Sequence, residues 1–304
     1  MTQFGFWRDF QVTNNRAILT GFGQMNRVFY LFPQGGGPRG SFTTFTDLAP
    51  NLRSRDIIYL SGVLREQAVA PLNVYDVLVV GAANTPRQAT SGGVPTGGGA
   101  TWMPPLSPVA TTPLIELRAA GWAFENIEFT PVNASAAIRL TRSAVIDTID
   151  ASHFRASGCY FASNGGTTQN GIEDNGGSSR VLIEDCRFES LAGTAILSLN
   201  TAAAIPFGWR ITRNRFNNNT NCIAISSTEG LVDWNYIRQT ANTAANKVNL
   251  VSVAAQGSLN QVIKNIFPDA TANVVIAKGY KPGTTDVWRN WVTDAADEVV
   301  AVPI

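Results

Sequence analysis

The sequence predicts an all-β chain wound as a single-stranded, right-handed parallel β-helix, a solenoid with a short helical cap at its N-terminal end. Three observations predict this fold. A short apolar motif recurs from residue 114 onward at separations typical of solenoids. From Cys159 on, the residue two positions before each apolar anchor is Cys or Asn. Charged residues make up only 15% of the 304-residue chain, well under the usual quarter or so. Asn, Thr, Ser, Gly and Ala replace them, and these residues suit strands and tight turns.

The anchors are Phe129, Phe161, Phe188, Phe216, Ile237, Phe267 and Val292, separated by 32, 27, 28, 21, 30 and 25 residues. That spacing is too irregular for helical repeats. Between anchors lies a second run of alternating apolar residues, as in Ala137-Ile-Arg-Leu140, Thr194-Ala-Ile-Leu-Ser-Leu199 and Asn221-Cys-Ile-Ala-Ile225. Such runs, joined by Gly- and Asn-rich connections, read as strands with one buried face. The positions before the anchors, Cys159, Cys186, Asn214, Asn235, Asn265 and Asn290, are expected at a corner, pointing inward. Equivalent residues on successive rungs lie about 4.8 Å apart. Stacked Asn side chains there would bond one another and the corner backbone, and small thiols fit the same ladder.

Residues 1–24 read as an N-terminal arm and 25–304 as the β-helix domain. Met25-Asn-Arg-Val-Phe-Tyr-Leu-Phe32 is a strand, residues 41–52 suit a short helix, and Arg55-Asp-Ile-Ile-Tyr-Leu-Ser-Gly62 and Asp76-Val-Leu-Val-Val-Gly81 are further strands. The helix would cover the open end of the coil. Residues 83–113 break the rhythm with a Gly/Pro-rich stretch read as an inserted loop, whose Trp102 is expected to be exposed and to contact a partner. In the arm, Phe4, Phe6, Trp7 and Phe10 precede any strand. They are expected either to anchor an interface or to fold over the first rung.

The order of strand, short helix, then Asp56-x-Ile-x-Leu-x-Gly62 and Val77-x-Val-x-Gly81 resembles the opening of pectate-lyase-like parallel β-helix proteins. Within that superfamily it looks most similar to β-helix structural proteins of tailed bacteriophages. The resemblance implies a non-enzymatic virion protein that decorates the capsid or attaches to the tail. Such a protein would act as a rigid homotrimer, bind other virion proteins and, in a related role, a host-surface glycan. The alternatives it implies are a polysaccharide-degrading tailspike-type enzyme and a carbohydrate-binding adhesin. Both ends are read as too short for the head-binding and trimerisation domains that flank tailspike enzymes.

Composition narrows these readings. The net charge of +1, with no basic block, lacks the electrostatic footprint expected for nucleic-acid binding. No run approaches the roughly 20 apolar residues of a membrane helix, and the opening residues do not form a signal peptide. Synthesis in the host cytoplasm and residence in the virion are expected. The three Cys residues, odd in number, suit buried thiols better than a disulfide framework. No Cys-x-x-Cys or Cys/His spacing supports a metal, and no cofactor motif is present: the Gly cluster at residues 92–99 lacks the Gly-Lys-Ser/Thr of a phosphate loop.

A glycosidase on this fold needs two carboxylates about 5–9.5 Å apart. The candidates are Glu173 with Asp174, Glu184 and Asp185 with Glu189, and Asp147 with Asp150. Adjacent residues of a strand point to opposite sides, however, and Asp174-Asn-Gly-Gly177 is also ordinary turn chemistry. His153 is the sole His, so any Ser-His-Asp device must pass through it. A surface or turn role is the simpler reading.

Overall fold

The computed structural model describes residues 11–13, 16–18, 27–82, 99–131, 135–142, 150–163, 165, 168–198, 206–238, 248–250, 260–268, 277–278, 285–288 and 290. Phe4, Phe6, Trp7 and Phe10 lie outside them, as do Asp147 and residues 83–98 of the predicted loop. Gln11–Thr13 pairs antiparallel with Arg16–Ile18. The other described strands form three parallel sheets of ten, seven and eight strands, designated A, B and C.

Each rung contributes one short strand to each sheet in turn. In a typical rung Leu182–Glu184 lies in sheet A, Arg187–Glu189 in B and Thr194–Ser198 in C. The next rung repeats this with Arg210–Thr212, Arg215–Asn217 and Asn221–Ile225. Strands this short fit a coil because each pairs above and below in register, which leaves only the ends of the stack exposed.

Period-two alternation sends one column of each sheet inward. In sheet A this column is Ile58, Val79, Phe124, Ala156, Ile183, Ile211, Val232 and Val262. In sheet C it is Ile115, Ile138, Ile172, Ile196, Ile223 and Val248. In sheet B, Leu64, Trp102, Phe129, Phe161, Phe188, Phe216 and Ile237 follow one another. The rings of Phe129, Phe161, Phe188 and Phe216 stack at successive centroid distances of 5.1, 4.7 and 5.0 Å. All these residues are buried, each large side chain contributing roughly 1.5–3 kcal/mol.

The corner between sheets A and B holds the Cys/Asn ladder. Asp185, Arg213, Trp234 and Lys264 take a left-handed backbone there, with φ between 54° and 57°, and Gly158 does so one rung earlier at φ 62°. This sharp turn points the next residue inward. Asn214 accepts from Cys186 N at 2.9 Å, Asn235 from Asn214 N at 2.9 Å, Asn265 from Asn235 N at 3.0 Å and Asn290 from Asn265 N at 3.0 Å. Each Asn amide also donates to a carbonyl of the rung below, for example Asn214 Nδ2 to Ile183 O at 2.9 Å. The left-handed non-glycine residues cost roughly 1–2 kcal/mol each, and the ladder bonds offset that strain.

At the N-terminal end, Phe45–Leu48 forms one helical turn, followed by a 3-10 turn at Ala49–Asn51. The helix is shorter than the 41–52 segment predicted because Pro50 lacks an N–H to continue it. Thr44 Oγ1 caps it by accepting from Asp47 N at 3.1 Å, and Glu66 accepts from Phe45 N at 2.7 Å. Phe45 packs on Trp102 and Trp122 at 5.5 and 6.3 Å.

Trp102 corrects the expectation of an exposed contact residue. It lies in Ala100–Met103, a strand of sheet B inside the segment read as loop, and it is fully buried. Its register places it over Phe129, at 6.3 Å and 23° between planes, and its Nε1 donates to Glu66 O at 2.9 Å. The wider indole fills the rung beneath the helical cap, where the stack of Phe rings begins.

Candidate functional site

On sheet B, the residue before each inward ring anchor points outward. Thr101, Glu128, Tyr160, Arg187, Arg215 and Tyr236 form one in-register column, and Ala162, Glu189, Asn217 and Arg238 form the next. Glu128 is 1% exposed, and its Oε1 has no hydrogen-bond partner. Burial pushes its carboxyl up to about 7, so an appreciable fraction carries a proton near neutrality. Tyr160 Oη donates to Glu189 Oε2 at 2.5 Å. Burial, reinforced by that bond, raises the phenol above its usual value. Glu189 also pairs with Arg187 Nη2 at 2.9 Å and accepts from Asn217 Nδ2 at 3.0 Å.

Chemically, the column sets a carboxylic acid able to give up a proton near pH 7 one rung from a tyrosine held by a second carboxylate. Further along it, the guanidinium of Arg187 lies 5.4 Å from the Tyr160 ring and that of Arg215 5.3 Å from Tyr236. These contacts make a flat cationic and aromatic strip. The sequence reading missed Glu128 and Tyr160. The signal for them was present, since both immediately precede a repeat anchor, Phe129 and Phe161, and alternation turns that position outward.

Glu184 and Asp185 lie on the outer side of sheet A and at its corner. Glu184 accepts from Arg155 Nη2 at 2.8 Å and Arg213 Nη2 at 2.6 Å. Asp185 receives Arg213 through Nε and Nη2 at 2.9 and 2.8 Å. Arg155 also faces Glu125 at 3.5 Å. Burial raises the Glu125 carboxyl, and Arg155 partly counters it. The two candidates do come together, but as partners of one arginine, which holds both as acceptors.

Glu173 and Asp174 are separated by the pleat. Asp174 points inward and is fully buried. It accepts from Gly176 N and Ser178 N at 3.1 Å and from Ser198 Oγ at 3.2 Å. Burial pushes it up to about 6 despite those bonds. Glu173 points outward, 3.5 Å from Arg139 Nη2 and 3.3 Å from Asn170 Nδ2. The pair therefore cannot act on one substrate from one face.

His153 occupies the corner between sheets C and A with φ 62°, and its Nε2 lies 3.3 Å from Arg180 Nη1. Burial and then Arg180 lower its pKa, which leaves a neutral imidazole accepting from the guanidinium. Ser152 Oγ accepts instead from Ser179 N at 2.9 Å. Phe207 and Trp234 are exposed at 40% and 53% on neighbouring corners. Among the described residues no group of His, Cys, Asp and Glu converges as a metal site. No helix of the described residues is long and apolar enough to cross a membrane.

No protein-family model matches the chain, and no curated protein matches it. Among solved structures, it is similar to an alginate lyase from Paenibacillus sp. str. FPU-7, with a TM-score of 0.55 and 12% identity over 88% of this chain and 96% of that one. A pectate lyase gives a TM-score of 0.38 at 11% identity, covering 90% of this chain and 79% of that one. A tailspike protein of E. coli bacteriophage HK620, in complex with a pentasaccharide, gives 0.35 at 10%, covering 86% and 53%. Three parallel sheets wound around one core, and their likeness to the alginate lyase, establish that the chain has a parallel β-helix fold.

Proposed function

We propose that the chain is a non-enzymatic virion structural protein of a tailed bacteriophage, a capsid-decorating or tail-attached rod that works as a homotrimer along its flat faces. The observation that carries this reading is the outer network of Glu125, Arg155, Glu184, Arg213 and Asp185. It ties charged side chains of successive rungs to one another, which stiffens a rod and leaves neither sequence-derived carboxylate of that face free for acid–base work. The aromatic arm, Phe4, Phe6, Trp7 and Phe10, is the proposed attachment element. Quantitative mass spectrometry of purified virions tests this reading. Hundreds of copies per particle mark a capsid decoration and a handful a tail protein, whereas absence from the particle overturns it. Replacing Phe6 and Trp7 with Ala should abolish attachment while leaving the β-sheet circular dichroism unchanged.

A second reading, a carbohydrate-active protein, is favoured by one specific observation: the proton-bearing Glu128 in register with Tyr160, whose hydroxyl bonds Glu189. Assays of product release from neutral and uronic-acid polysaccharides test it. Turnover that disappears in Glu128→Gln would move this reading to the front.

A further inference from the structure

We propose that Cys159 and Cys186 are a reversible redox pair, forming an intramolecular disulfide that staples two successive rungs at the corner between sheets A and B. Ser157 pairs with Glu184 and Tyr160 with Arg187, so Cys159 and Cys186 hold the same position one rung apart. Arg187 N donates to Cys159 O at 2.9 Å, which fixes that register. Strands so paired lie about 4.8 Å apart, inside the roughly 4.4–6.8 Å Cα separation that a disulfide spans. Both side chains point inward, with 1% and 2% of their surface exposed.

The rest of the ladder makes the pair conspicuous. From Asn214 onward, every described position carries a carboxamide that bonds the next. At Cys186 the chain of carboxamides stops, and the thiol donates to Glu184 O at 3.3 Å. Cys159 Sγ likewise reaches Ser157 O at 3.6 Å and Phe124 O at 3.5 Å. Thiols are weak donors, so these two positions give up ladder bonds for a group whose distinctive property is oxidation. The pair lies directly beneath the surface, because Gly158 and Asp185 precede the two thiols at the turn and the Asp185 side chain is 50% exposed.

The chemistry is thiol–disulfide exchange with a low-molecular-weight disulfide. One cysteine, as thiolate, attacks a sulfur of that disulfide, whose S–S bond breaks and releases one small thiol. The second cysteine thiolate then attacks the mixed disulfide and releases the other. Two protein thiols are oxidised to one S–S bond, and one small disulfide is reduced to two thiols. Burial and the neighbouring Cys159 raise Cys186 above the ordinary thiol value, so the closed corner is unreactive until it opens or the solution is alkaline. Such a staple would stay open in a reducing cytoplasm and close outside it.

The test treats the native full-length protein with bis(2-hydroxyethyl) disulfide at mildly alkaline pH. Free thiols are then alkylated in denaturant and the products mapped by mass spectrometry. The expected result is a Cys159–Cys186 cross-linked peptide that disappears on reduction, with Cys222 alkylated. Cys222 lies in the sheet C strand Asn221–Ile225, away from this corner, so it serves as an internal control. Cys159→Ser and Cys186→Ser should each abolish the cross-link, and Cys222→Ser should retain it. To separate slow access from wrong geometry, the same assay is run on protein refolded in the oxidant. A cross-link in either sample supports the pair. Alkylation of both cysteines in both samples, or stable adducts with the small thiol in place of the cross-link, overturns it.

Discussion

Asn235 Oδ1 accepts two hydrogen bonds from Asn214, one from the backbone N at 2.9 Å and one from Nδ2 at 3.1 Å. Its own Nδ2 donates to Ile211 O at 2.9 Å. One buried side chain thus satisfies polar groups on the rung before it and the corner it occupies. Asn235→Leu removes that acceptor and leaves the Asn214 backbone N–H buried without a partner. Each such orphaned group costs about 1–3 kcal/mol, so a loss of about 3 kcal/mol is expected in urea unfolding. Asn217→Ala, on the outer face of sheet B, should cost less than about 1 kcal/mol in the same experiment. Equal losses at the two sites would mean that the ladder contributes nothing special.

Phe188 sits at the middle of the ring stack, 4.7 Å from Phe161 and 5.0 Å from Phe216, with planes 6° apart in both cases. Phe188→Ala should destabilise by about 4 kcal/mol, and Phe188→Leu by appreciably less. The ring also packs against the backbone of Gly171, where an added Cβ would lie 3.0 Å from it and 2.5 Å from Ala195 O. Gly171→Ala is therefore expected to destabilise by about 2 kcal/mol, although it adds one carbon alone. Thermal unfolding monitored by circular dichroism ranks the three substitutions.

These two columns show why the fold could be read from the sequence. The ring anchors and the Asn ladder recur at one position per rung, and each choice is dictated by the copies above and below it. Trp102 was not readable in that way. It belongs to the same column as Phe129, but it follows a Gly/Pro-rich stretch and precedes two prolines, so local composition masked its register. The candidate site failed for a different reason. Glu128 and Tyr160 owe their environment to burial on an outward face, and alternation gives direction but not what covers that face. The adjacency of Glu173 and Asp174 conveyed proximity along the chain, where the pleat enforces separation.

The Glu128 carboxyl gives the protein an acid-side stability component. Its folded-state pKa, about 7, exceeds the unfolded value of about 4.5, so the folded chain binds the extra proton. Stability from this group is complete below about pH 4.5 and is lost as pH rises through 7. The shift corresponds to about 3 kcal/mol. Asp174, pushed up to about 6, acts in the same direction between about pH 4 and 6. Tyr160 faces Glu128 on this column, and Glu189 of the next column bonds the Tyr160 hydroxyl. Glu128→Gln keeps the shape and removes the titration, so wild type and variant should match in acid. At pH 8 the variant should be more stable by about 2 kcal/mol. Parallel unfolding curves from pH 4.5 to 8 would contradict the assignment.

Glu173 and Asp174 are neighbours in sequence with opposite fates, and single substitutions separate them. Asp174→Ala removes the acceptor for Gly176 N, Ser178 N and Ser198 Oγ, leaving buried donors unpaired beside a turn. A loss of about 3 kcal/mol is expected. Glu173→Ala releases one contact with Arg139 at 3.5 Å and one with Asn170 at 3.3 Å, and two contacts this long on a largely buried outward carboxylate contribute about 1.5 kcal/mol. Asp174→Asn, which retains one acceptor oxygen, should fall between them. If Asp174→Ala unfolded no more readily than Glu173→Ala, Asp174 would be dispensable to the turn at residues 175–178, and its inward orientation would need another reason.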